Sequence, residues 1–136
     1  MKGKVGAAIV GLSVIDPTRV LLGLRKKREG FGLWVLPGGG VELEEDPDAA
    51  VRRETLEEVG VELKSPTPVY HAWLPECGPD GCLMLYYMEH IDPNVPRIVA
   101  EHEFSELRWF NVFNLPKNMW PTDRRAVQRT INLMRL

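Results

Sequence analysis

From Gly38 to Val61 the chain carries three consecutive glycines, an acidic segment, and a run whose ends bear strong helix signals. Asp46 is a good N-cap residue, Pro47 suits the first helical position, and Gly60 can take the left-handed conformation that closes a helix. These signals predict a helix from about Pro47 to Val59. At about 100° per residue, Glu54, Glu57 and Glu58 then fall within one narrow sector of its surface. Three carboxylates so crowded repel one another, at a cost of several tenths of a kcal/mol, unless positive charge sits between them. A solvated acidic face is the plain alternative. A divalent cation is the more specific one. Magnesium takes hard oxygen ligands, usually one or two carboxylates together with phosphate oxygens and water, so the cluster suits an ion shared with a phosphorylated substrate.

Composition bounds what such a site can serve. The 136 residues, 44% hydrophobic and 26% charged, suffice for one globular domain with a core, expected to span residues 1–136. A formal charge of −2 argues against a general nucleic-acid binder, so an anionic substrate must be met locally by cations. No apolar run reaches the length of a membrane span, and Met1-Lys2-Gly3-Lys4 leads into strand-like sequence rather than a signal-peptide core. A cytoplasmic protein is expected. Cys77 and Cys82 flank the turn sequence Gly-Pro-Asp-Gly, with His71 and His90 nearby. The absence of a CxxC pair and the reducing compartment favour free thiols over a hairpin disulfide or half of a zinc site.

The spacing around the acidic helix carries a family likeness. Gly39, five residues, Glu45, seven residues, and then Arg53-Glu54-Thr55-Leu56-Glu57-Glu58-Val59-Gly60-Val61 resemble the MutT/Nudix signature position by position. Thr55 stands where that pattern usually has an aliphatic residue, and keeps a methyl group for packing. The resemblance implies an α/β fold, an α/β/α sandwich in which a mixed sheet is flanked by the signature loop-helix and a C-terminal helix. It also implies hydrolysis of a nucleoside diphosphate linked to a further group. Water attacks one phosphorus while cations neutralise the phosphate oxygens. Glu54, Glu57 and Glu58 become the expected ligands of Mg2+, for which Mn2+ could substitute. Arg53 would orient a glutamate by ion pairing, and Glu45 would support the loop or an outer metal. Gly38, Gly39 and Gly40 would form a loop that brings backbone close to the diphosphate, since glycine has no side chain to hold a ligand away. Glu42, beside that loop, is read as structural.

The rest of the chain is read around this box. Val5–Val10 and Arg19–Leu24 look like a hairpin turning at Asp16-Pro17. In the basic run that follows, Lys26, Lys27 and Arg28 read as a solvated loop. Arg25 is set apart because the family commonly directs an arginine at the substrate's phosphates, a task its two-pronged guanidinium suits. Phe31–Leu36 leads into Pro37. Pro68–Leu74 and Leu83–His90 read as strands joined by the Cys77–Cys82 turn. A polar connection, Arg97 to Ser105, precedes a strand at Glu106–Phe110. The family often sends one more glutamate from such a loop to the site, and Glu103 fits that place best, with Glu101 second. Asn114-Leu115-Pro116 ends the strand. A final amphipathic helix, about Thr122 to Met134, would dock through Val127, Ile131 and Met134.

The likeness sets the expectation for function. The short chain points to a nucleoside triphosphate pyrophosphohydrolase that releases monophosphate and pyrophosphate. The alternatives are a nucleotide-sugar pyrophosphatase of the ADP-ribose kind and a non-catalytic ligand-sensing module. An isomerase of prenyl diphosphates would want a reactive cysteine at the site. Phe31, Trp34, Trp73, Tyr86, Tyr87 and Trp120 are candidates to stack or wedge a base. The expected partner is a small-molecule nucleotide, with no nucleic acid and no membrane. Family members frequently pair, and exposed parts of the Trp73 and Tyr86 strands could form a homodimer contact.

Overall fold

A computed structural model describes residues 4–27, 29–75 and 77–135. The readings of Arg28 and of the Met1–Gly3 lead fall outside these residues. The first strand, β1 (Lys4–Ser13), is the axis of the sheet. Its Gly-Ala-Ala-Ile-Val-Gly run is buried on both faces, because helices cover it from either side. Along one edge β1 pairs in parallel with β6 (Cys82–Ile91) from Lys4↔Cys82 to Ser13↔Ile91, and β5 (Thr67–Leu74) adds an antiparallel strand beyond β6.

The other edge of β1 is divided. Near its end it meets β2 (Arg19–Arg25) at Leu12↔Val20, and near its start it meets β4 (Gly38–Gly40) at Gly6↔Gly40, Ala7↔Gly39 and Ala8↔Gly38. β2 diverges between them, carrying β3 (Trp34–Val35) on one side and β7 (Phe104–Asn111) on the other. The two-residue β3 is all that the Phe31–Leu36 run contributes as strand. The glycine triplet, expected as a loop, is therefore a strand. Its lack of side chains serves the sheet first, since a Cβ at Gly38 would run into the Ala7 carbonyl oxygen and Ala8.

Period-two alternation sorts β1 into two cores. Ala7 and Ile9 pack with Leu21, Val35 and Tyr87 beneath α1 (Pro47–Val59), which adds Ala50, Val51 and Val59. Ala8, Val10 and Leu12 pack on the opposite face with Leu22, Trp34 and Tyr86 beneath α2 (Pro121–Met134), which adds Ala126 and Val127. The result is the expected α/β sandwich around a mixed sheet.

Asp46 and Gly60 bound α1 as predicted. Gly60 adopts φ 71° and returns its N–H to the Leu56 carbonyl, whereas the Asp46 side chain makes no capping hydrogen bond. Thr55 is fully buried and its hydroxyl has no hydrogen-bond partner among the described residues. A buried hydroxyl without a partner costs about 1–3 kcal/mol. Thr55→Val keeps the shape and is expected to raise stability by about 1 kcal/mol, read as a higher urea midpoint with an unchanged slope.

Cys77 and Cys82, expected as free thiols, are bonded to each other. The Gly78–Gly81 turn brings their Cα atoms to 5.5 Å, inside the range a disulfide spans. His71 and His90 are exposed, and no metal-binding group of three or more His, Cys, Asp or Glu forms among the described residues. Among the described residues no helix is long and apolar enough to cross a membrane.

Candidate active site

The carboxylates gather where α1 faces β4. The Gly38 N–H donates to Glu58 Oε1 at 2.9 Å, which fixes the last of the three helical glutamates against the glycine strand. Glu54 lies one turn earlier, with its carboxylate packed on Gly39, so that a Cβ there would come to 2.5 Å of Glu54 Oε2. Glu57 points outward, its side chain 58% exposed. A different segment closes the far side. The C-terminal carbonyls of α1 lack helical partners, and they accept N–H groups from Arg97, at Val59, and from Val99 and Ala100, at Glu58. This docking brings the following turn, with Glu103, beside Glu54 and Glu58, while Glu101 stays exposed at the surface.

Arg53 ties the first half of the cluster together. Its Nε and Nη2 grip the two oxygens of Glu45, each at 2.9 Å, Nη2 also donates to the Gly40 carbonyl at 3.0 Å, and Nη1 donates to Glu54 Oε1 at 2.9 Å. Glu57 Oε2 lies 3.5 Å from Nη1, and Glu42 Oε1 lies 3.7 Å from Nη2. A planar fork can do this where an ammonium cannot. Arg53 holds the Glu45 carboxyl down at about pKa 2, and its own pKa rises. Glu58 goes the other way. Burial, opposed by the Gly38 hydrogen bond and reinforced by the charges of Glu103 and Glu54, pushes it up to about 8. Glu54 is also raised, by burial against the pull of Arg53.

This is a surplus of desolvated negative charge with a deficit of cations. Arg53 occupies one oxygen of Glu54 and Gly38 one oxygen of Glu58, which leaves each with another. No three such groups converge on one point among the described residues, so the donors form an open half-site rather than a closed cage. Magnesium suits that arrangement, because it is usually held by one or two carboxylates and completed by substrate phosphates and water. Gly39→Ala tests the packing. The added methyl must push the Glu54 carboxylate aside, and since that is the far end of a flexible side chain, the expected outcome is about a tenfold loss of turnover with little change in melting temperature.

On the other side of the glycine strand lies a cleft of about 280 Å³, lined by Gly38–Gly40, Arg25, Trp120, Tyr86 and Asp123 and by the Cys77–Cys82 pair. Arg25 is half-buried there, its Nε donating to the Glu29 carbonyl at 2.5 Å. Of the aromatic candidates, Trp120 and Tyr86 line the cleft. Trp34 is instead buried edge-on against Phe110, Tyr87 belongs to the core under α1, and Phe31 and Trp73 are exposed outside the cleft's lining.

Asp123 was not singled out by sequence. An Asp in the first turn of a helix reads as a solvated group favoured by the helix dipole. Here it is buried, with Oδ2 accepting the Leu36 N–H at 2.9 Å and Oδ1 the Tyr86 hydroxyl at 2.6 Å. Burial lifts its pKa to about 6 against the pull of those hydrogen bonds.

Fold and site together define a hydrolase of the Nudix class. The NUDIX domain model matches residues 4–130, and the chain belongs to the Nudix hydrolase family, as an enzyme of its pyrophosphohydrolase class. Among curated relatives it is 32% identical over 111 residues to the oxidized purine nucleoside triphosphate hydrolase of Danio rerio, covering 81% of this chain and 70% of that one. It is 34% identical over 120 residues to the RNA pyrophosphohydrolase of Roseobacter denitrificans, covering 74% and 73%. Among solved structures, the MutT NUDIX hydrolase from Burkholderia pseudomallei superposes with a TM-score of 0.84 at 28% identity, over 95% of this chain and 98% of that one.

Proposed function

We propose that the chain, acting as one Nudix unit over residues 1–136, is a cytoplasmic, magnesium-dependent pyrophosphohydrolase of purine nucleoside triphosphates, releasing the monophosphate and pyrophosphate. The observation that carries this reading is the juxtaposition of two half-sites across a three-glycine strand. Desolvated carboxylates lie on one side, and a cleft holding an indole, a guanidinium and a buried carboxylate lies on the other. Polyphosphate spans the strand at Gly40, where nothing lies over the backbone. Glu54 and Glu58 would hold the ion, joined by Glu57 once its exposed side chain turns inward, and Arg25 would meet phosphate oxygens from the cleft side. Bound magnesium, or manganese in its place, supplies the positive charge that offsets the phosphates and lowers the pKa of the attacking water. Arg53 keeps Glu54 from turning away, and Glu103, beside Glu54 and Glu58, would be the base that accepts a proton from the attacking water.

In the cleft, Trp120 offers a face for stacking. Asp123 contributes acceptor oxygens, which suits a base presenting N–H donors along its edge. The relatives named for oxidized purine nucleotides support the purine assignment.

The test is a nucleotide panel with magnesium, with pyrophosphate release as the readout. It includes purine, oxidized purine and pyrimidine triphosphates, ADP-ribose, and an RNA carrying a 5′-triphosphate. Glu57→Gln is the control. Release from purine triphosphates that falls in the variant supports the proposal. Preference for ADP-ribose or RNA overturns the substrate assignment, and tight binding without cleavage overturns the enzymatic one.

A further inference from the structure

Lys26 and Lys27 are exposed in a loop after β2, as their sequence suggests, yet both are tied to a distant turn. β2 and β7 keep a regular antiparallel register up to Leu24↔Glu106 and then slip, so that Arg25 pairs with Phe104. A bulge of this kind re-aims the side chains that follow it. Past it, the Lys26 N–H donates to the Glu103 carbonyl at 2.8 Å, Lys26 Nζ donates to the Glu101 carbonyl at 3.1 Å, and Lys27 Nζ lies 2.5 Å from Glu103 Oε1. Two consecutive lysines thus clip the 101–103 turn by its backbone and by its one shielded carboxylate. The Glu103 side chain is only 12% exposed, and Lys27, at 45%, covers it from solvent. His102 Nε2, 3.5 Å from the same oxygen, is far more exposed, and Glu54 and Glu58 both lie within reach of the Glu103 charge.

We propose that Lys27 is a positioning residue of the hydrolytic site: it holds Glu103 by Oε1 so that Oε2 faces Glu54 and Glu58. The inference rests on the hydrolase reading above. It adds a cation that the acidic box does not contain, placed by a strand bulge rather than by the signature helix. Two effects of opposite sign follow from removing it. The acidic cluster loses a neighbouring positive charge, so a dication binds it more tightly. Glu103 loses its anchor, so turnover falls.

The experiment uses the whole chain carrying Lys27→Met, with Lys27→Arg as the conservative variant. Mn2+ binding without nucleotide is measured by titration calorimetry and by loss of the free-ion electron paramagnetic resonance signal, and kcat and KM are measured with the best substrate of the panel. For Lys27→Met the expected result is Mn2+ affinity raised about threefold to tenfold, kcat lowered about tenfold, and nucleotide KM changed less than about twofold. Lys27→Arg restores both values. Unchanged or weakened Mn2+ binding overturns the proposal, as does an unchanged kcat. A parallel loss of affinity, turnover and melting temperature overturns it too, because a merely structural contact behaves that way. Should no nucleotide be cleaved by the unmodified protein, the hydrolase reading fails by itself. The Mn2+ shift then still reports whether Lys27 bears on the carboxylates.

Discussion

Glu58→Gln is expected to make the metal-free protein more stable and the enzyme at least about a hundredfold slower, the loss outer-shell metal-site substitutions already cause. Glutamine has the same shape and can still accept the Gly38 N–H through its carbonyl oxygen, so the α1–β4 contact survives. What disappears is a buried group that must ionise as pH rises. The folded carboxyl has its pKa pushed up to about 8 from the usual 4.5, so between those values the folded protein holds a proton there that the unfolded chain has already released. Stability from this group is fully present below about pH 4.5 and is lost as pH rises through about 8. Glutamine does not titrate. The advantage of the variant therefore grows across that window and levels off above it, reaching about 2–4 kcal/mol. Urea unfolding in chelator at pH 5 and pH 8.5 measures it. Equal midpoints for the two proteins at both pH values would show that Glu58 is solvated and ionised, and would remove the desolvated cluster on which the catalytic reading stands.

Arg53→Lys preserves charge and is nevertheless expected to behave almost as badly as Arg53→Ala, with kcat down about a hundredfold in both. The guanidinium serves both oxygens of Glu45, one of Glu54 and the Gly40 carbonyl at once. An ammonium has neither the span nor the planar geometry for that set. With the fork gone, Glu45 returns toward the ordinary carboxylate range from about 2. The contribution this pair makes, present above about pH 4.5 and lost as pH falls toward 2, is then missing from the variant's acid unfolding curve. A lysine variant with wild-type kcat would mean that Arg53 acts through charge alone.

These two residues also mark how far the sequence could be read. Helix ends, the facing of Glu54 and Glu58, and the alternation of strands were legible because each depends on neighbours three or four residues away, or on the conformational limits of proline and glycine. The two helices and the long strands fall close to where local patterning puts them. Gly38–Gly40 was misread as loop because a triple glycine has no strand propensity of its own. Only pairing with β1, which leaves no space for a Cβ at Gly38, makes it a strand. Asp46 carried the right residue for a cap and makes no capping bond.

Chain order by itself determined an acidic α1, the fold class, and a box in which Arg53 sits next to Glu54 and one turn before Glu57. Tertiary structure alone decided which carboxylates are desolvated, since Glu57 and Glu58 are adjacent in sequence and differ in burial. It decided that Asp123 meets Tyr86 and Leu36, that Lys27 meets Glu103, and that Cys77 is joined to Cys82. The reason is one of range. Periodicity and capping act over a single turn or pleat, whereas burial and the pairing of charges depend on which distant segment comes to lie above a residue, and in this protein the dockings of β4 and of residues 97–103 onto α1 settle that.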